Sequence, residues 1–247
     1  MKNKLTSALL ALLVLLGLWH AASIQLEKAF LPTPWASGAA FVRLLADGDM
    51  GRQFLISAYR IIASIVLAMA LAVPLGLFMG RSQRADRLLG PVVYLLYPLP
   101  KVVFLPIIVV LLGLGTLPKI VLIALVVFFQ IVVVTKDAAK SIPQASVLSM
   151  RSLKANRWQM ARHLIIPYCL PKILTSLRVT LGTAIAVLFF AETFASFDGL
   201  GYFIQEGMET RNYPAMYAGI IGMAILGLVL YLLVDLLEQL WCRWQRY

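Results

Sequence analysis

Six stretches of the chain stay apolar for long enough to cross a bilayer, and polar, turn-rich or basic segments separate them. They cover about residues 5–24, 55–80, 91–112, 119–135, 173–191 and 215–233. A helix needs roughly 20 mostly apolar residues to span the hydrocarbon. The pattern predicts an all-α polytopic membrane protein: one transmembrane domain over residues 1–247 with six helices. Two of the spans are interrupted. Pro74 and Gly76 loosen the second, and Pro98, Pro100 and Pro106 fall in the third. Three prolines do not sit in one unbroken helix, because each lacks a donor and clashes with the preceding turn. An irregular start and a kink are expected there, of the kind that lines a cavity in transporters.

The polar segments set the orientation. Residues 136–172 hold seven basic residues (Lys136, Lys140, Arg151, Lys154, Arg157, Arg162 and Lys172) against one acid, Asp137. Arg81, Arg84 and Arg87 crowd the short link after the second span. Residues 192–211 show the reverse bias, with four acids (Glu192, Asp198, Glu206 and Glu209) and Arg211 as the single base. Placing both termini and the basic loop on one side puts fourteen Lys and Arg there and five on the other. Under the positive-inside rule that side is the cytoplasm. Trp241, Trp244 and Tyr247 then form an interfacial aromatic anchor beside Arg243 and Arg246. Residues 25–54 read as an external loop with a short amphipathic piece around 39–45. The first run comes after Lys2 and Lys4 and ends in small residues at Ala21, Ala22 and Ser23, which also suits a cleaved secretory signal. A retained first helix is expected, and either reading places residues 25–54 outside the cytoplasm.

Composition narrows the function. At 61% hydrophobic and 13% charged residues, the chain cannot clothe a soluble domain of 247 residues. The net charge of +11 sits at the ends of apolar spans, where orientation and anionic headgroups account for it, so nucleic acid is not an expected partner. Cys169 and Cys242 lack metal-site spacing and read as small packing residues. No Gly-Lys dipeptide occurs, so the chain holds no Walker A phosphate cradle. His20 and His163 lie on opposite sides of the predicted membrane. Uphill transport would therefore draw its energy from a partner.

The basic loop carries a resemblance. Leu148-Ser149-Met150, three residues, Lys154, nine residues and then Leu164-Ile165-Ile166-Pro167 keep the spacing of the loop motif of solute-importing ABC permeases. That motif reads Glu-Ala-Ala, three residues, Gly, nine residues and Ile-x-Leu-Pro. The signature letters are replaced here: Glu-Ala-Ala by Leu-Ser-Met, and Gly by Lys154. Further matches are S-A-Y-R at Ser57 to Arg60, the spaced prolines before Gly113 and Gly115, and Gly-Leu-Gly-Tyr at residues 199–202. The taurine, aliphatic sulfonate and nitrate permeases look most similar.

The resemblance implies a type I ABC importer permease fold in the bacterial inner membrane. It also implies a second permease copy in a homodimer, two cytoplasmic ABC ATPase subunits that hold ATP and magnesium, and an external substrate-binding protein; this chain itself takes no cofactor or metal. In that family the loop forms a coupling helix docked on the ATPase. Here it would cover about residues 146–160, with Val147, Met150, Leu153 and Trp158 at the contact and Leu148, Lys154, Leu164 and Pro167 completing the motif. Lys154 would adopt a left-handed turn only at a cost, so docking on an atypical ATPase, a longer helix or poor coupling are each open. Candidates for the translocation path are Arg60, Pro100, Lys101, Pro106, Arg178, Glu192, Gly199 and Gly201. Arg60 and Arg178 equally suit snorkelling to an interface, Lys101 suits a reach to the headgroups, and Glu192 suits a helix cap. The substrate expected is a small anion such as taurine, a sulfonate or nitrate. A neutral pyrimidine-like precursor is the alternative, as is an ATP-independent channel or an inactive paralogue.

Overall fold

A computed structural model describes residues 2–26, 28, 30–194 and 196–246. Side-chain detail is absent at residues 2–5, 8, 9, 245 and 246, so Tyr247 and the Arg246 side chain of the expected aromatic anchor lie outside the described residues. The described chain contains eleven α-helices: α1 (Lys2–Leu26), α2 (Pro34–Ala46), α3 (Asp49–Arg81), α4 (Gln83–Leu96), α5 (Leu105–Leu112), α6 (Thr116–Lys140), α7 (Gln144–Ser152), α8 (Arg157–Met160), α9 (Ile166–Thr193), α10 (Leu200–Glu209) and α11 (Tyr213–Trp241). They form two compact units, one running through Ser57 with Glu192–Ile225, the other Ala58–Ala191 with the chain from Leu226 onward.

Four helical segments are long and apolar enough to cross a membrane: α3, α6, the continuous stretch Arg157–Thr193, and α11. The third run, expected to be interrupted at its prolines, is broken and sharply bent. It is α4 and the segment Lys101–Leu112, bent by 84°, and it adds a fifth crossing if the pair is counted as one. The apolar part of α1, Leu10–Leu26, is shorter than these, so the described helices do not by themselves reproduce a count of six.

Helix ends also depart from the hydropathy boundaries. α6 runs on to Lys140, and the helix that carries the fifth span starts at Arg157, well inside the segment expected as a loop. Pro167 has no N–H for the preceding turn. A π-turn over Ala161–Ile165, closed by the Ile166 N–H on the Ala161 carbonyl, absorbs the mismatch and lets the helix continue.

In the second unit α6 is the central helix, with buried residues from Pro118 to Ala139 on its faces. Gly76 and Gly80 of α3 set its contact there. A Cβ at Gly76 would lie 2.7 Å from Thr135 Cβ, and one at Gly80 would lie 2.5 Å from Ala139 Cβ. The two glycines, four residues apart, form the small-residue seam that lets membrane helices approach closely. In the first unit α10 and α11 form a helical hairpin. Gly207 meets the backbone of Met216, and Gly219 meets Ile204 and Phe203. Trp19 of α1 stacks on Tyr217 at 5.3 Å between ring centroids and donates to the Pro32 carbonyl at 3.1 Å. Apolar side chains such as Leu88, Tyr94 and Val110 stay on the surface, as expected for a chain whose solvent is largely a bilayer.

Candidate functional site

The basic loop is two short helices with a sharp break. α7 ends in a Schellman motif: Lys154 N–H donates to the Arg151 carbonyl at 2.9 Å, and Ala155 N–H reaches back to the Met150 carbonyl at 3.1 Å. Lys154 occupies the left-handed position with φ 54°, the position the related motif gives to Gly. The turn between two helices therefore forms in spite of the substitution, and one longer helix does not. Asn156 then caps α8 reciprocally: its Oδ1 accepts from Gln159 N–H, and Gln159 Oε1 accepts from Asn156 N–H, each at 2.8 Å.

The loop's apolar residues split into two sets. Val147, expected at the contact surface, is buried against Ala138, Ala139, Ile142, Cys169 and Ile173, and Leu164 packs on the same cluster. Met150 and Pro167 are half-buried. Leu148, Leu153 and Trp158 remain 58%, 78% and 69% exposed, so these three are what a partner would meet. Exposed Arg151, Lys154, Arg157 and Arg162 surround them. The loop is anchored at both ends. Lys140 pairs with Asp86 at 2.6 Å, Tyr168 Oη donates to the Ser141 carbonyl at 3.0 Å, and Lys172 Nζ donates to Ser141 Oγ at 2.7 Å.

Each candidate cation in the spans is engaged within the chain. Arg60 is fully buried instead of snorkelling, and its Nη2 donates to Thr116 Oγ1 at 3.3 Å. Lys101 is also buried and turns into the chain. Its Nζ donates to the carbonyls of Tyr97 and Leu99 at 2.7 and 3.2 Å, and lies 4.7 Å from the Phe129 ring centroid. Pro98 and Pro100 remove the N–H groups that would continue α4, and Lys101 supplies donors to carbonyls left at its end. Pro100 precedes the 3₁₀ turn Lys101–Phe104, and Pro106 takes a first-turn position of α5, where no N–H is needed. Arg178 donates to Asp235 at 2.9 Å and makes a shorter contact with Glu238, its guanidinium 5.5 Å from the Tyr231 ring centroid.

Glu192, fully buried, serves the N-terminus of α10. Gly199, with φ 99°, is the N-cap residue, and three N–H groups of that end find side-chain acceptors. Gly199 donates to Gln53 Oε1 at 2.6 Å, Leu200 to Ser57 Oγ at 2.8 Å, and Gly201 to Glu192 Oε2 at 2.9 Å. Near the other end of the chain, the Cys242 thiol is pushed up from its ordinary pKa by burial and then by Glu238 beside it.

A cavity of about 530 Å³ lies in the second unit, and none of Arg60, Lys101 or Arg178 lines it. Its polar lining is Tyr97, Gln130, Thr175, Ser176, Thr180 and Thr183, with Lys172 the one charged residue. Among the described residues, the Gln130 Oε1 is buried without a hydrogen-bond partner. No motif singles out these residues in the sequence, although Ser176, Thr180 and Thr183 stand at i, i+4 and i+7 of an otherwise apolar helix, a hydroxyl stripe on one face.

A multi-span helical chain with a broken third span, a two-helix basic loop and a hydroxyl-lined cavity defines a membrane transport subunit. The family model described as "binding-protein-dependent transport system inner membrane component" matches residues 72–241, and the chain belongs to that family. The chain is 30% identical to the taurine transport system permease TauC of Escherichia coli (strain K12), over 99% of this chain and 91% of that one. It is likewise 30% identical to the aliphatic sulfonates transport permease SsuC of the same strain, over 93% of this chain and 88% of that one. A structure of the MetNI methionine ABC transporter in an inward-facing conformation shares the fold, with TM-score 0.67 at 20% identity over 77% of this chain and 94% of that one. The chain is thus a permease subunit of an ABC importer, multi-pass in the inner membrane, with ATP hydrolysis in a separate subunit.

Proposed function

We propose that the whole chain, residues 1–247, works as one permease domain that carries a small organic sulfonate such as taurine through a path partly lined by the cavity of α4, α6 and α9. The observation that carries this reading is the lining itself. Hydroxyl and amide groups from Tyr97, Gln130, Thr175, Ser176 and Thr183, with Lys172, offer donors to a tetrahedral anion, whereas the Thr180 hydroxyl donates to the Ser176 carbonyl at 2.8 Å. Among the described residues the lining contains no acid to repel an anion. The similarity to taurine and sulfonate permeases supports the same substrate class. Two copies of the chain form the path, both termini lie in the cytoplasm, and an external binding protein delivers the solute. ATP and magnesium act in the partner ATPase, which docks on Leu148, Leu153 and Trp158. Six crossings, with α1 as the first and the bent pair as the third, complete the arrangement.

The test is ATP-dependent uptake into proteoliposomes holding the permease, its ATPase and its binding protein. Labelled taurine is the substrate, with unlabelled alkanesulfonates or a pyrimidine as competitor. Sulfonate competition, and loss of uptake in Thr183→Val and Gln130→Leu with ATPase binding intact, is expected. Competition by the pyrimidine alone would move the reading to a neutral precursor. Uptake that ignores ATP would make the chain a channel.

A further inference from the structure

We infer that the chain has a second anion site, for a phosphate-bearing amphiphile, between the end of α3 and the two helices of the basic loop. A pocket of about 590 Å³ opens there, separate from the hydroxyl-lined cavity. Three arginines from three different elements line it: Arg81 at the last residue of α3, Arg151 in the last turn of α7, and Arg157 at the first residue of α8. Among the described residues none of the three has a carboxylate partner, and no acid lines the pocket.

Positive-inside bias explains basic residues near a membrane, but it does not explain convergence of three on one concavity. Arg84, Arg87 and Arg162 belong to the same basic segments and do not line it. Two further donors accompany the guanidinium groups. The Ser82 hydroxyl accepts from Ala85 N–H and keeps its own hydrogen to give, and the Asn156 carboxamide accepts through Oδ1 and keeps its NH₂. Arginine forks match phosphate oxygens two at a time, which a lone ammonium does not.

The rest of the lining is apolar, from Phe78, Met160 and Ile165. Phe78 is 60% exposed at the end of a membrane-crossing helix. An occupant with a phosphate for the arginines and an apolar portion for this floor satisfies both halves. An anionic phospholipid has that chemistry, and a soluble phosphate compound shares its charged part. Either would bridge α3 to helices on both sides of the Lys154 break and so stiffen the loop. An effect on ATPase coupling rests on the proposed function; binding itself does not.

The full chain in lipid nanodiscs tests this by hydrogen exchange across residues 151–160. Discs of phosphatidylcholine are compared with discs containing roughly a fifth phosphatidylglycerol, and pyrophosphate is titrated into the zwitterionic discs. Slower exchange with phosphatidylglycerol alone assigns the lipid; slower exchange with pyrophosphate as well assigns a soluble phosphate source. In either case Arg81→Gln with Arg151→Gln and Arg157→Gln weakens the response on the order of tenfold, while Arg84→Gln with Arg87→Gln and Arg162→Gln leaves it within about twofold. If the first triple variant misfolds, exposed Arg151→Gln alone shows a loss of about threefold. No protection by either ligand, or equal losses in the two triple variants, overturns the site.

Discussion

Glu192 accepts the Gly201 N–H at 2.9 Å, so a carboxylate from the end of α9 sits on the N-terminus of α10. The first N–H groups of a helix have no partner within it, and their summed dipoles favour negative charge. Ser57 bridges the two: its hydroxyl hydrogen is shared between both Glu192 oxygens at 2.8 Å, and its oxygen accepts from Leu200 N–H. The anion-binding end of α10 is therefore filled by the chain's own carboxylate.

Glu192→Ala leaves the Gly201 N–H and the Ser57 hydroxyl without this acceptor in a buried place, which costs roughly 2–4 kcal/mol. Glu192→Gln keeps one carbonyl oxygen and loses the charge, so its cost is expected at about half of that. The Tm of the purified chain measures both, and protease cleavage within residues 195–212 reports whether α10 detaches. Equal Tm values for wild type and Glu192→Ala would show that the carboxylate does not stabilise this helix end.

Lys154 holds a left-handed conformation that costs a side-chain-bearing residue about 1 kcal/mol relative to glycine. Lys154→Gly should stabilise the Schellman turn by up to that amount, and a β-branched Lys154→Val should weaken it. Amide exchange at Lys154 and Ala155, whose N–H groups close the turn, gives the readout: slower in the glycine variant and faster in the valine variant. Identical exchange in all three would mean that the turn is not held closed.

Two Gly→Ala substitutions, one in the α3–α6 seam and one outside it, have opposite expected outcomes. At Gly80 a new Cβ would lie 2.6 Å from the Lys136 carbonyl oxygen, a backbone atom that cannot swing away, so the helices must part. The expected loss is roughly 1–3 kcal/mol. At Gly38 in α2 nothing lies within 4 Å of the added carbon, and alanine's better helix propensity makes a gain of up to about 1 kcal/mol the expectation. Thermal unfolding of both variants in one detergent separates the cases by sign.

Hydropathy makes the long runs legible because lipid-facing and buried side chains in a membrane are both apolar, so α3, α6 and α11 stand out without knowledge of packing. The helix ends are not legible in the same way. Lys136 and Lys140 read as loop, yet they lie on the last turns of α6 and both pair with Asp86, on α4 far back in the chain. Pro98 and Pro100 announce a break, but not that Lys101 turns inward to its carbonyls. In the basic loop, spacing locates the turn at Lys154, and helix periodicity does not separate Val147, which faces the chain's own core, from Leu148, which does not. The hydroxyl stripe of α9 is easily overlooked because single hydroxyls are common in membrane helices; only the facing Gln130 and Tyr97 make it a lining.

Arg178 illustrates what such long-range pairing does. Its partners Asp235 and Glu238 lie on α11, one turn apart, so a single guanidinium answers two carboxylates. Arg178→Ala leaves those two like charges side by side in a partly buried place, and the expected destabilisation is roughly 1–3 kcal/mol, the lower end reflecting the 23% exposure of the Arg178 side chain. Removing all three charges together, as Arg178→Met with Asp235→Leu and Glu238→Leu, relieves the repulsion and should return Tm to near the wild-type value. If Arg178 serves only to hold α9 on α11, ATP-dependent uptake of the transported solute recovers along with Tm in that triple variant. Recovery of Tm without recovery of uptake would give the guanidinium a part in transport itself.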